Sequence, residues 1–92
     1  MDTILKNLST PDQIENHVID AMKWPMVTTK REEPDQTLIM EMSFPENYTN
    51  FQKERLVVKF HGAHVVDIIH TPLFSKTAQY IQHHFGGTIH KS

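Results

Sequence analysis

From Arg55 to His70 the chain reads Arg-Leu-Val-Val-Lys-Phe-His-Gly-Ala-His-Val-Val-Asp-Ile-Ile-His, its densest apolar stretch, broken once by Gly62 between two histidines. β-branched side chains are stiff at χ1 and pack well on a pleated surface, so the stretch predicts two short strands folding back about the glycine. Val65, Ile68 and Ile69 also fit helical spacing. The Val-Val and Ile-Ile pairs favour strand over that alternative.

The same period of two runs upstream. Leu56, Val58 and Phe60 alternate with Val57, Lys59 and His61, and Leu38, Met40, Met42 and Phe44 alternate with Ile39, Glu41 and Ser43. Alternation of this kind marks a half-buried antiparallel strand, apolar inward and mixed outward. Met26 to Arg31 is rich in strand formers, and Pro34-Asp35 carries turn chemistry that joins it to the next run. Val65 to His70 has apolar residues on both parities and is expected to be central or covered on both sides.

Helices flank this region. Thr10-Pro11-Asp12-Gln13 combines an N-cap threonine, proline at the first helical position, an acid at the positive dipole end and a glutamine three residues after the cap. Ile14, Val18, Ala21 and Met22 then form one apolar stripe, ended by Pro25. Upstream, Ile4, Leu5 and Leu8 suggest a short helical turn at one edge of the core. After Thr71-Pro72, residues Leu73 to Phe85 read as a closing helix with Leu73, Thr77, Tyr80, Ile81, His84 and Phe85 inward, and Gly86-Gly87 as a left-handed cap. Thr88-Ile89 either adds a short final strand or frays. The expected fold is therefore a single α+β domain over residues 1–92: helix, four-stranded antiparallel meander, C-terminal helix, with both helices on one sheet face.

Composition excludes more than it assigns. The 92 residues contain no cysteine, which removes disulfides, thiolate zinc sites and thiol nucleophiles. Three glycines leave no phosphate-cradling loop, and no serine sits in a glycine-flanked elbow. No enzyme activity, catalytic residue or cofactor is expected. Nine basic residues against eleven acidic ones give a formal charge of −2, without the basic excess usual for duplex binding. The first residues carry no continuous apolar segment of signal type, and no stretch approaches the length needed to cross a bilayer, so a cytoplasmic protein without a membrane partner is expected. Asn47-Tyr48-Thr49 matches a glycosylation acceptor, a chance match in such a protein.

Seven histidines are the one compositional outlier. His61 and His64 flank the glycine turn, with Asp67, His70 and His90 as further candidate ligands. No metal-binding spacing supports the set, and ordinary surface histidines are the preferred reading. Full protonation would move the formal charge from −2 to +5, so a charged partner would sense acidification.

What remains is recognition of another macromolecule. A non-catalytic protein-binding module is expected, of the kind used as small inhibitors, immunity factors, adaptors or chaperones, acting by steric or competitive occupation of a larger protein's surface. Its candidate contact residues are Tyr48 and Phe51, two aromatics in an otherwise polar loop, with Lys30, Arg31, Arg55 and Lys59. Val27, Ile39 and Val57, on the parity opposite the core rows, form an apolar strip that meets a partner, a second copy or the N-terminal segment. The alternative function is a nucleic-acid-associated regulator using the same four cations, which the acids around them weaken; a histidine metal site ranks below both.

Overall fold

A computed structural model describes residues 10–92; the turn expected around Ile4, Leu5 and Leu8 lies outside them. Helix α1 spans Pro11–Met22 and begins with the capping box read from the sequence: the Thr10 hydroxyl accepts from the Gln13 amide at 3.2 Å, while the Thr10 amide donates to Gln13 Oε1 at 3.0 Å. It ends on Lys23, which takes a left-handed conformation at φ 53° two residues before Pro25. Four antiparallel strands follow in sequence and spatial order: β1 (Val27–Glu32), β2 (Thr37–Ser43), β3 (Arg55–His61) and β4 (His64–His70). Gly62, at φ 63°, supplies the turn conformation that brings His61 opposite His64. Residues 64–70 are thus strand rather than helix.

The meander continues into a fifth strand. Helix α2 (Ser75–Phe85) crosses back after a 3-10 turn at Pro72–Phe74, and β5 (Thr88–Lys91) then pairs with β4 in parallel. Parallel neighbours require such a crossover, because a tight hairpin can only reverse direction. The expected four-stranded antiparallel sheet is therefore a five-stranded mixed sheet, ordered β1-β2-β3-β4-β5.

One face of this sheet makes the core. Met40, Met42, Leu56, Val58, Phe60, Val65 and Ile68 are buried there against Ile14 and Val18 of α1 and Ala78 and Ile81 of α2. Both helices accordingly pack on the same side. The α2 contact face keeps Thr77, Ile81 and Phe85 of the expected set and adds Ala78, whereas Leu73 and Tyr80 are exposed. Leu73 falls in the 3-10 turn that precedes the helix. No helix of the described residues is long and apolar enough to cross a membrane.

Candidate interaction surface

The opposite sheet face carries the other parity of every strand. Strand register lines up two complete rows across all five strands: Arg31, Ile39, Lys59, Asp67 and Thr88 in one, Thr29, Glu41, Val57, Ile69 and His90 in the next. A register shift after Lys59 keeps that residue opposite Asp67 while Phe60 and Val65 remain in the core, leaving Val66 bulged and exposed. Neither helix packs on this face.

Its centre is apolar and its surround is charged. Ile39, Val57 and Ile69 form a continuous strip, with Val27 at the β1 edge, 42% exposed. Ile39 keeps only 9% of its surface accessible although neither α1 nor α2 packs on its side. Its cross-strand neighbours are Arg31 and Lys59, and the aliphatic stems of such residues lie along apolar surface while their charged ends stay in water. A shallow open trough of about 880 Å³ lies over Ile39, bounded by Arg31, Lys59, His61, Pro34 and Asp67. At its rim the Thr37 hydroxyl, followed by the Thr37 amide, holds the Asp35 carboxyl below its ordinary range, so that end of the trough stays negative.

Charge on the face is balanced internally. Arg55 lies 3.6 Å from Glu41, Arg31 donates to Glu33 at 2.9 Å, and His90 Nε2 lies 2.9 Å from Asp67. Lys59 has no carboxylate oxygen within 4.0 Å among the described residues. Lys30 is elsewhere: its parity turns it to the helix side, where it reaches Asp12 at 2.7 Å and Glu15 at 3.7 Å. The bond to Asp12 raises the lysine above its ordinary pKa, so this cation is committed to tying β1 to the start of α1. The four expected contact cations therefore do not form one patch; Arg31, Arg55 and Lys59 share the open face without Lys30.

Tyr48 and Phe51 are also drawn to the helix side. Both are half-buried against the core, Phe51 with ring centroids 5.0 Å from Phe44 and 4.7 Å from Trp24, and Tyr48 6.2 Å from Phe44. The structure brings neither ring to the open face. Ile69 and the Asp67–His90 pair, by contrast, belong to that face, although apolar residues on both parities of β4 hide in the sequence which set points outward.

The candidate metal ligands are divided in the same way. His70 faces the core side and is 3% exposed, whereas Asp67 and His90 meet on the open face. Among the described residues no group of three or more histidine, aspartate or glutamate side chains is placed to hold a metal ion.

Comparison with protein families, with curated proteins and with solved structures finds no match for this chain.

Proposed function

We propose that the chain is a non-catalytic protein-binding module that seats a larger protein on its open sheet face. The observation that supports this reading is the pair of five-strand rows, apolar at Ile39, Val57 and Ile69 and ringed by charges of both signs, on the side away from both helices. Desolvated aliphatics supply affinity in such a surface, and the surrounding charges fix orientation and reject mismatched partners. The action is steric or competitive occupation, as in small inhibitors, immunity factors, adaptors and chaperones.

Charge pairing favours protein over nucleic acid as the partner. Phosphate binding draws its affinity from unpaired cations concentrated on one surface. Here Arg31 and Arg55 already face carboxylates and Lys30 is on the other side of the sheet.

Capture from the native host followed by mass spectrometry, run in parallel with Val57→Lys/Ile69→Lys and with Lys30→Ala, tests the proposal. A single protein retained by the wild type and by Lys30→Ala, and lost with the outer-row double variant, supports it. Retention that survives the double variant, or salt-sensitive retention of an oligonucleotide in its place, overturns it. Concentration-dependent self-association abolished by the same double variant assigns the face to a second copy and likewise overturns the larger-partner reading.

A further inference from the structure

The first strand of the sheet leaves one side of its backbone unbonded. The Glu33 amide donates to the Thr37 carbonyl at 2.8 Å, and the β1–β2 register continues from that pair through Arg31–Ile39, Thr29–Glu41 and Val27–Ser43. Antiparallel pairs alternate between those that exchange main-chain hydrogen bonds and those that do not, so these odd-numbered residues bond to β2. Thr28, Lys30 and Glu32 therefore direct their N–H and C=O groups outward. Among the described residues nothing bonds to the main chain of these three.

Sheet edges of this kind pair readily with another chain, and proteins commonly blunt them with a proline, a bulge, a very short strand or a lysine held over the edge. None of these devices is present in β1. It pairs with β2 without a break over six residues, contains no proline, and its one lysine is drawn onto α1 by Asp12 and Glu15. The opposite edge, β5, has only four residues. Of the two, β1 is the edge open to a further strand.

The surrounding charges select what can pair there. On the α1 side Asp12, Glu15 and Glu32 stand against Lys30 alone, and on the open-face side Glu33 and Asp35 stand against Arg31. Glu32 makes no ion pair among the described residues, and Asp12 keeps 79% of its side chain exposed beside the lysine it binds. An excess of acid thus flanks the edge on both faces. A second copy would oppose that excess with itself, and like charges across paired strands are destabilising. The complementary occupant is basic.

We infer that β1 recruits an extended basic segment of another protein as a sixth strand. Main-chain hydrogen bonds to Thr28, Lys30 and Glu32 supply the affinity, and the side-chain pattern supplies the choice. Successive residues of a strand point to opposite faces, so those set opposite Thr28, Lys30 and Glu32 turn to the α1 side, toward Glu15 and Glu32. Lysine or arginine at every second position is the pattern that fits.

Amide 1H–15N spectra of the full chain, titrated at low salt with a blocked octapeptide of alternating lysine and threonine, test the assignment. The amides of Thr28, Lys30 and Glu32 should shift saturably while those of β5 stay in place, and the same peptide with glutamate for lysine should move neither. Glu32→Lys exchanges an attraction for a repulsion and should weaken the lysine peptide by about tenfold. Thr28→Pro removes an outward donor but no charge and no bond to β2, and should weaken it by about fivefold with the dispersion of the spectrum retained. Static Thr28, Lys30 and Glu32 amides, equal shifts with both peptides, or binding indifferent to either variant would overturn the site. Concentration-dependent shifts of the same amides without peptide would give the edge to a second copy and likewise overturn it. None of these readouts depends on Val57 or Ile69, so the edge and the open face stand or fall separately.

Discussion

Truncating Phe51 separates a displayed aromatic from a structural one. Its ring packs edge-on to Trp24 at 4.7 Å and tilted over Phe44 at 5.0 Å, and Phe44 in turn lies 6.1 Å from the fully buried Phe74. Removing a fully buried phenylalanine costs about 3–5 kcal/mol. Phe51 is half-buried, so Phe51→Ala is expected to cost about 2 kcal/mol, including two ring pairs at about 0.5–1.5 kcal/mol each when buried. For a chain of this size that lowers the thermal midpoint by about 8–16 °C. Tyr48→Ala removes one more distant ring contact and should cost about 1 kcal/mol. Urea unfolding followed by far-ultraviolet circular dichroism measures both, and a double-mutant cycle of Trp24→Ala with Phe51→Ala should return a coupling of about 1 kcal/mol. An unchanged midpoint for Phe51→Ala, or zero coupling with Trp24, would refute the placement of this loop against the core.

The two sheet faces predict opposite responses to one chemical change at neighbouring positions: Val58→Thr buries a hydroxyl without a partner and should cost about 1–3 kcal/mol, while Val57→Thr on the open face should stay within about 0.5 kcal/mol. Equal losses in denaturant melts would contradict the assignment of faces. Gly87→Ala should be strongly destabilising, since Gly87 sits at φ +100° and an added Cβ would stand 2.8 Å from Val65 Cγ1 and 3.3 Å from the Val65 carbonyl oxygen; an unaltered melt would show that the α2–β5 connection is placed otherwise. Burial, then the nearby His84, holds the His17 imidazole below its ordinary 6.5 against the opposing pull of Asp20, in a stack on Tyr80 at 3.8 Å that continues to His84. The unfolded chain then binds the proton first as pH falls, so His17 leaves stability intact above 6.5 and lowers it as pH drops below that value. His17→Phe keeps a stacked ring and removes the titration, and its advantage over the wild type should widen between about pH 7 and pH 5; parallel pH profiles would contradict the sign.

Where local chemistry decides structure, the sequence was readable. Thr10-Pro11 with Gln13 announced the start of α1, and period-two alternation in β2 and β3 announced both the strands and which side chains enter the core. The misreadings share a physical cause, which is that distant pairing leaves little local trace. β5 has four residues after two glycines, too few to display a period, and its parallel partner is reached only through a helix. Leu73 drops out of the inward side of α2 because Pro72–Phe74 forms a 3-10 turn, whose three residues per turn do not continue the phase of the helix that follows. Tyr48 and Phe51 sit among polar residues in a segment without periodicity, and the contact of Phe51 with Trp24 spans more than twenty positions. For the surface, parity alone placed Val27, Ile39 and Val57 together on the open face. Parity likewise separates the adjacent Lys30 and Arg31 once β1 is known to be a strand, whereas pairing Asp67 with His90 required the parallel register of β4 and β5.

Absence of cysteine from the chain makes the central claim directly measurable by single substitutions. Val57→Cys and Ile69→Cys on the outer rows should react with a bulky thiol reagent in the folded protein at rates within about tenfold of the unfolded chain. Val58→Cys and Ile68→Cys on the core side should react only through unfolding, slower by about a thousandfold or more. Protection of the outer-row cysteines equal to that of the inner row would mean that the sheet is closed on both sides, and that no face remains for a partner.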